Sequence, residues 1–137
     1  MKEAINLLNE LKFIGMKEAL EYRINEAMQE NLAYSDFLAL LLEDEQVYRR
    51  TRRSEMLRKR AKFNIYASLD EFKASSKRGI TKASVKQFKT MNFYESKENV
   101  IFIGGTGAGK SFLAQAIGNE ACNQCIETIF VSVNRLF

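Results

Sequence analysis

The chain opens with apolar residues at helical spacing. Ile5, Leu8 and Leu11 recur every third position, with Leu7 widening the face, and predict a short helix over residues 1–12. Gly15 reads as its break. Met16 to about Gln29 predicts a second helix, with Leu20, Ile24, Ala27 and Met28 along one side and Asn31 as its stop. Ser35 is placed to cap a third helix, and Asp36 complements that helix's positive end. The third helix is the longest, from about Asp36 to Ala61. Phe37, Leu38, Leu40, Leu41 and Leu42 should pack against the two helices before it. The run from Arg49 to Glu55 then carries no apolar side chain. At about 3.6 residues per turn it is polar on every face for nearly two turns, so it cannot sit inside a core. Met56, Leu57, Ala61 and Phe63 return the chain to one.

Residues 63–80 read as an irregular connection. Ser68 can cap a single helical turn with Glu71 three residues on, and Lys77-Arg78-Gly79 reads as a turn. Thr81 should cap a further helix to about Met91, buried along Val85, Phe88 and Met91. After the polar turn Glu95–Asn99 the pattern changes. Asn99-Val100-Ile101-Phe102-Ile103 reads as a buried parallel strand, Phe112 to Ile117 as a helix, and Glu127 to Val133 as a second strand. Asn134–Phe137 begins another helix. The predicted class is α/β: an all-helical domain, residues 1–95, followed over residues 96–137 by the start of a parallel sheet that stops after its second strand.

Between the first strand and its helix lies Gly104-Gly105-Thr106-Gly107-Ala108-Gly109-Lys110-Ser111, which fits G-x-x-x-x-G-K-[ST] in the strand–loop–helix setting the pattern requires. Four glycines remove the Cβ atoms that would keep the loop from wrapping a phosphate chain. Backbone N–H groups can then form an anion-binding concavity, and the following helix adds its free N-terminal donors and dipole. Lys110 is placed for the β- and γ-phosphates and Ser111 for Mg²⁺. With Phe112 these residues form the predicted nucleotide site, and the expected ligand is a nucleoside triphosphate with magnesium. The bland alternative is a glycine-rich turn joining two elements.

Composition narrows the chemistry. The apolar share of 46% makes a folded chain the expectation rather than disorder. No apolar run reaches the ~20 residues that cross a bilayer, and the N-terminus has no secretory pattern. A cytoplasmic location is the expectation. The chain has no histidine, which excludes histidine-based triads and metal sites within it. Cys122 and Cys125 are spaced C-x-x-C but fall near the end of a helix, where they read as packing residues rather than a redox pair.

The net charge is +4, yet residues 49–62 carry +7 and residues 73–89 carry +6, leaving −9 for the rest. Such concentration is the pattern of a polyanion-binding surface. Arg49, Arg50, Arg52 and Arg53 either project into solvent, supported by pairs such as Glu45–Arg49 and Glu55–Lys59, or meet a polyanion. Lys82, Lys86 and Lys89 share one helical face. They form either a solvated stripe or a row of DNA phosphate contacts.

Taken together, several stretches carry a resemblance: Leu7-Leu8-Asn9-Glu10-Leu11 leading to Gly15-Met16-Lys17-Glu18-Ala19-Leu20, Phe37 to Glu45, the arginine run, Leu69-Asp70-Glu71-Phe72, Lys77-Arg78-Gly79-Ile80, and Glu98 to Gly104. The chain resembles the IstB-like helper ATPases of insertion-sequence transposition, relatives of the DnaC helicase loaders, along essentially its whole length. The resemblance implies the front part of an AAA+ ATPase with an N-terminal helical domain. It also implies ATP and Mg²⁺ at Gly104–Ser111, nucleotide-dependent oligomers on DNA, and work with a transposase. Cys125 stands where such proteins often have glycine. Their acidic metal-binding strand, water-positioning residues and trans-acting arginine lie beyond the second strand. Neither Glu120 nor Glu127 is placed to substitute, so little hydrolysis is expected from this chain alone.

Two readings follow. The first is an ATP-binding subunit that touches DNA phosphates without reading sequence. The second is a non-catalytic adaptor whose helical domain binds a transposase, a helicase or a sibling ATPase.

Overall fold

The structure, a computed structural model, describes residues 1–136. Among the described residues seven helices follow one another: α1 (Lys2–Glu10), α2 (Ile14–Glu30), α3 (Tyr34–Ala61), α4 (Lys82–Thr90), α5 (Asn92–Glu95), α6 (Lys110–Asn123) and α7 (Val133–Leu136). A single 3-10 turn, Ser76–Arg78, sits between α3 and α4. The chain divides into two compact units, Met1–Arg53 and Ser54–Phe137, a division that falls within α3.

In the first unit Met16, Leu20 and Leu41 form the buried cluster, with Ile5, Leu8, Phe13, Ile24 and Phe37 against it. Gly15 does not break a helix. It lies inside α2, where an added Cβ would stand 2.6 Å from Tyr48 Cβ and 2.9 Å from both Asp44 O and Glu45 Cα. An added side-chain atom there has no room against α3. The break falls at Lys12, with φ of 59°. Ser35 is not a cap either. Asp36 and Phe37 already donate to Ala33 O, so α3 begins at Tyr34, two residues earlier than that role requires. Leu41 is buried, but Leu38 and Leu42 are 51% and 52% exposed, so only one stripe of the leucine run reaches the core.

In the second unit Leu69, Val85, Met91, Leu113, Ala116, Ile117 and Ala121 build the core, with Phe72, Phe88, Phe102 and Phe112 packed against it. Thr81 caps α4 as predicted, its Oγ1 accepting from Ser84 N at 3.2 Å. The turn Lys77-Arg78-Gly79 forms as predicted, with Gly79 left-handed at φ 74°. Gly118 in α6 leaves room for the Phe63 ring, whose atoms would lie 2.7 and 2.8 Å from an added Cβ.

The predicted parallel sheet is absent. Among the described residues there is no strand; the sole β pairing is an isolated antiparallel bridge between Ser75 and Ile80. Residues 99–103 and 127–132 belong to no helix or strand, and Val133 starts α7. The reason is cover. Phe102 packs on Phe88, whereas Ile101 and Ile103 are 79% and 95% exposed, and Ile129 and Val131 also face outward. A parallel ladder is stable when both faces are covered, and here one face is bare. Phe130 N instead donates to Ala61 O at 2.8 Å, at the end of α3. The helix predicted over Asn134–Phe137 is met by α7, and Phe137 lies outside the described residues.

The first six helices end alike. Lys12, Asn31, Lys62, Met91, Lys97 and Cys125 all have φ between 54° and 60°, and each lies at or just past a helix C-terminus. The turn at Cys125 therefore forms without the glycine that the resembled proteins often place there.

Candidate functional site

The loop Gly104–Ser111 leads directly into α6. Gly107 and Gly109 take φ values of 79° and 90°, the left-handed region where a Cβ is costly. Gly109 is the residue that turns the chain into the helix. Among the described residues no atom lies within 4 Å of where a Cβ would stand at Gly105, Gly107 or Gly109, apart from the chain neighbours, so the space beside these glycines is open. Ala108 N donates to Gly105 O at 3.3 Å, and Leu113 N makes the helix's first bond, to Gly109 O at 3.0 Å. The main-chain N–H groups of Thr106, Gly107, Gly109, Lys110, Ser111 and Phe112 make no hydrogen bond among the described residues. Two donors in the loop and four at the helix N-terminus are therefore available to an anion.

Lys110 Nζ donates to Gly104 O and Gly105 O, both at 2.6 Å. Both acceptors are neutral carbonyls of the loop itself, and no carboxylate holds the ammonium. A phosphate oxygen is the stronger acceptor and can replace them. The Ser111 side chain is exposed, and its hydroxyl makes no hydrogen bond among the described residues, which fits a Mg²⁺ ligand. Beside the loop opens a cavity of about 260 Å³, lined by Phe72, Arg78, Ile80, Phe102, Lys110 and Leu113 among others. Phe112 is half-buried and stacks on Phe72, ring centroids 6.4 Å apart at 25°. Its ring is thus a packing element beneath the loop. Phe72, Arg78 and Ile80 are additions to the site. In sequence they read as a capped turn and a glycine turn, and only the fold brings them to the loop.

Polar side chains brace this helix. Gln115 Oε1 accepts from Asn64 N at 2.8 Å and Ile65 N at 3.3 Å, and its Nε2 donates to Ser111 O at 3.4 Å. Gln124 Nε2 donates to Lys89 O at 2.6 Å. Arg58 Nη1 donates to Ser54 Oγ at 2.8 Å and to Asn123 Oδ1. Glu120 bonds to Asn123 and Gln124 at the far end of α6. It lies nine residues from Ser111, about 13 Å along the axis at ~1.5 Å per residue, too far to serve a metal there.

The basic candidates separate on inspection. Arg49, Arg50, Arg52 and Arg53 are all exposed on α3. Arg49 nevertheless has a structural task. Its Nε donates to Glu45 Oε1 at 2.7 Å, as the i,i+4 spacing predicts, and its guanidinium lies 5.3 Å from the Phe13 ring centroid. Glu45 is 5% exposed, and its Oε2 accepts Met16 N at 3.1 Å near the start of α2. Burial pushes the Glu45 carboxyl up. The Arg49 bond, the Met16 and Gly15 N–H groups and the Arg49 charge outweigh it and hold the group below the ordinary range. Nearby, Arg23 forks onto Asp44 at 2.7 and 2.9 Å, and this bond holds Asp44 below the ordinary range and raises Arg23. On α4, Lys82 and Lys86 are exposed and Lys89 bonds to Asp70. Cys122 is fully buried, and burial raises its thiol pKa, consistent with a packing role. Among the described residues no helix is long and apolar enough to cross a membrane, and no cluster of His, Cys, Asp or Glu could hold a metal ion.

Comparison with known proteins agrees with the loop. The chain is 31% identical over 137 residues to a protein of Geobacillus stearothermophilus named for ATP binding in insertion sequence IS5376, covering 99% of this chain and 55% of that protein. It is 31% identical over 136 residues to the IS21 counterpart of Pseudomonas aeruginosa, covering 99% and 51%. It is 29% identical over 137 residues to the IS1162 counterpart of Pseudomonas fluorescens, covering 98% and 59%. The chain therefore spans about half the length of the curated relatives it matches. Residues 6–137 match the family described as IstB-like ATP binding protein, and the chain belongs to that family.

Proposed function

We propose that this chain binds ATP with Mg²⁺ at Gly104–Ser111 and associates with DNA through its two basic segments, as a subunit that helps an insertion-sequence transposase. One observation carries the reading: six unbonded N–H groups and an ammonium held only by neutral carbonyls surround an open, glycine-lined turn at the head of α6. Lys110 meets the β- and γ-phosphates, and Ser111 ligates the metal. The cavity along Phe72, Arg78 and Ile80 receives the rest of the nucleotide. Bound Mg²⁺ neutralises phosphate charge. Arg50, Arg52, Arg53, Lys82, Lys86 and Lys89 contact DNA phosphates without reading bases. Arg49 adds charge to the arginine run of α3 while it holds Glu45. Nucleotide-dependent self-association on DNA and a cytoplasmic setting belong to the same reading. Hydrolysis is slow in this chain, because Glu120 is remote from Ser111 and tied to its own helix end.

The test is a titration with a fluorescent ATP analogue, with and without Mg²⁺. A lysine–phosphate hydrogen bond between charged partners contributes about 1.5–3 kcal/mol, so Lys110→Ala should weaken binding roughly 10- to 150-fold. An unchanged affinity refutes the site. For DNA, replacing Arg50, Arg52 and Arg53 together should weaken binding to every sequence alike and flatten its salt dependence.

The adaptor reading has its own support. Tyr34, Leu38 and Leu42 repeat at i, i+4 and i+8 on α3 and are 95%, 51% and 52% exposed. A partner protein would cover such a stripe. Leu38→Asn with Leu42→Asn should then abolish co-purification with the transposase while leaving nucleotide affinity unchanged.

A further inference from the structure

Beside α4 the surface forms a groove of about 580 Å³ that the phosphate loop does not use. Lys73, Lys82, Lys86 and Lys89 line it, and its apolar walls include Phe72 and Val85. Lys73, Lys82 and Lys86 are exposed and make no ion pair with any described carboxylate. Lys82 and Lys86 are i,i+4 neighbours of like charge, an arrangement that disfavours the empty helix. Lys89 bonds to Asp70, which is itself 78% exposed, so a phosphate can displace that carboxylate.

Charge alone would suit any polyanion, and the aromatic wall adds the discrimination. A DNA duplex hides both faces of every base inside its stack and offers a lysine row only phosphates, for which Phe72 has no use. A single strand has bases with free π-faces, and sites for single strands combine cations along the backbone with aromatic rings on which bases stack. Phe72 is half-buried and held by its stack on Phe112, a fixed platform rather than a mobile side chain.

We infer that this groove binds single-stranded DNA, one unstacked base lying against Phe72 and the lysine ammonium groups holding the flanking phosphates. The inference rests on the reading that α4 contacts DNA, and it narrows that contact to one form of it. Phe72 also lines the cavity beside the phosphate loop, so strand and nucleotide occupy adjoining spaces with one ring in common.

Fluorescence anisotropy on the whole chain tests it, with a labelled oligothymidylate and a duplex of equal length. Phe72→Leu keeps the apolar volume and removes the ring, and it should weaken single-strand binding about 5- to 20-fold. Duplex binding should stay within about twofold, and Phe72→Tyr should bind the single strand like the unaltered chain. A second measurement needs no variant: an oligonucleotide carrying bromodeoxyuridine should photocrosslink to Phe72 or to α4. Equal losses on both DNA forms, a crosslink confined to residues 49–60, or binding of duplex alone would each overturn the inference while leaving DNA association standing. If neither form binds while the fluorescent nucleotide still does, the inference falls together with the DNA reading beneath it, and the nucleotide site survives.

Discussion

Replacing Gly15 by alanine probes the contact on which the first unit is built. Alanine is the better helix former, and at an interior position the exchange gains about 1 kcal/mol; Gly15 is the second residue of α2, where the gain is smaller. Against it stand three short approaches: 2.6 Å to Tyr48 Cβ and 2.9 Å to Asp44 O and Glu45 Cα. Ordinary carbon contacts lie near 3.5–4.0 Å, so the two helices must part by roughly 1 Å. Two of the three atoms are main chain, and the third is a Cβ fixed to it, so no side-chain rotation relieves the clash. Overpacking of this kind costs about 1–3 kcal/mol. Parting the helices also stretches the 3.1 Å bond from Met16 N to Glu45 beyond reach, and a hydrogen bond to a charged group contributes about 1.5–3 kcal/mol. Part of one penalty relieves the other, so the net loss should be about 2–3 kcal/mol. Urea unfolding followed by circular dichroism measures it, with hydrogen exchange at α2 amides locating it. Gly118→Ala is the comparator: there a new Cβ meets the far end of the Phe63 ring and, at 3.4 Å, Thr128 Cγ2, both side-chain atoms rather than main chain, and the change should stay within about 1 kcal/mol. A Gly15→Ala variant as stable as its parent would refute the argument that close approach, not backbone freedom, fixes this glycine.

Three further outcomes are expected. Asp44 and Glu45 titrate below their ordinary range in the folded chain, so on acidification the unfolded chain takes up their protons first. Stability from both is present above about pH 4.3 and is lost as pH falls further, and Asp44→Asn with Glu45→Gln should flatten the acid limb of a Tm-against-pH curve. Arg49→Ala should cost about 1 kcal/mol by leaving the buried Glu45 short of a partner, more than Arg53→Ala in the same denaturation assay. Cys122 should resist iodoacetamide in the folded chain and react only on unfolding, seen as a mass shift confined to denatured protein.

What sequence could and could not tell follows from where the deciding atoms lie. The Thr81 cap, the Gly79 turn, the Glu45–Arg49 pair and the loop entering α6 depend on residues within a few positions of one another, and each was legible. Gly15 was misread because its reason is Tyr48 and Asp44, on another helix. Ser35 has the chemistry of a cap, but α3 takes Tyr34 into its first turn. Residues 99–103 and 127–133 carry the composition of buried strands, and composition does not reveal whether both faces find cover. Phe72 gave no local sign of lining a cavity or groove, while Lys73 and Arg78 were legible only as part of a basic segment.

Six helix ends pass through a left-handed residue that is not glycine. Glycine in this chain is placed instead in the phosphate loop, at one turn and at two close packings. Three of those six ends are lysines, a residue type with no side-chain means of easing that conformation. The fold thus runs below the stability its own backbone would permit. Its margin against heat and mutation is open to improvement at sites far from any ligand, where a designer could raise tolerance without touching the chemistry.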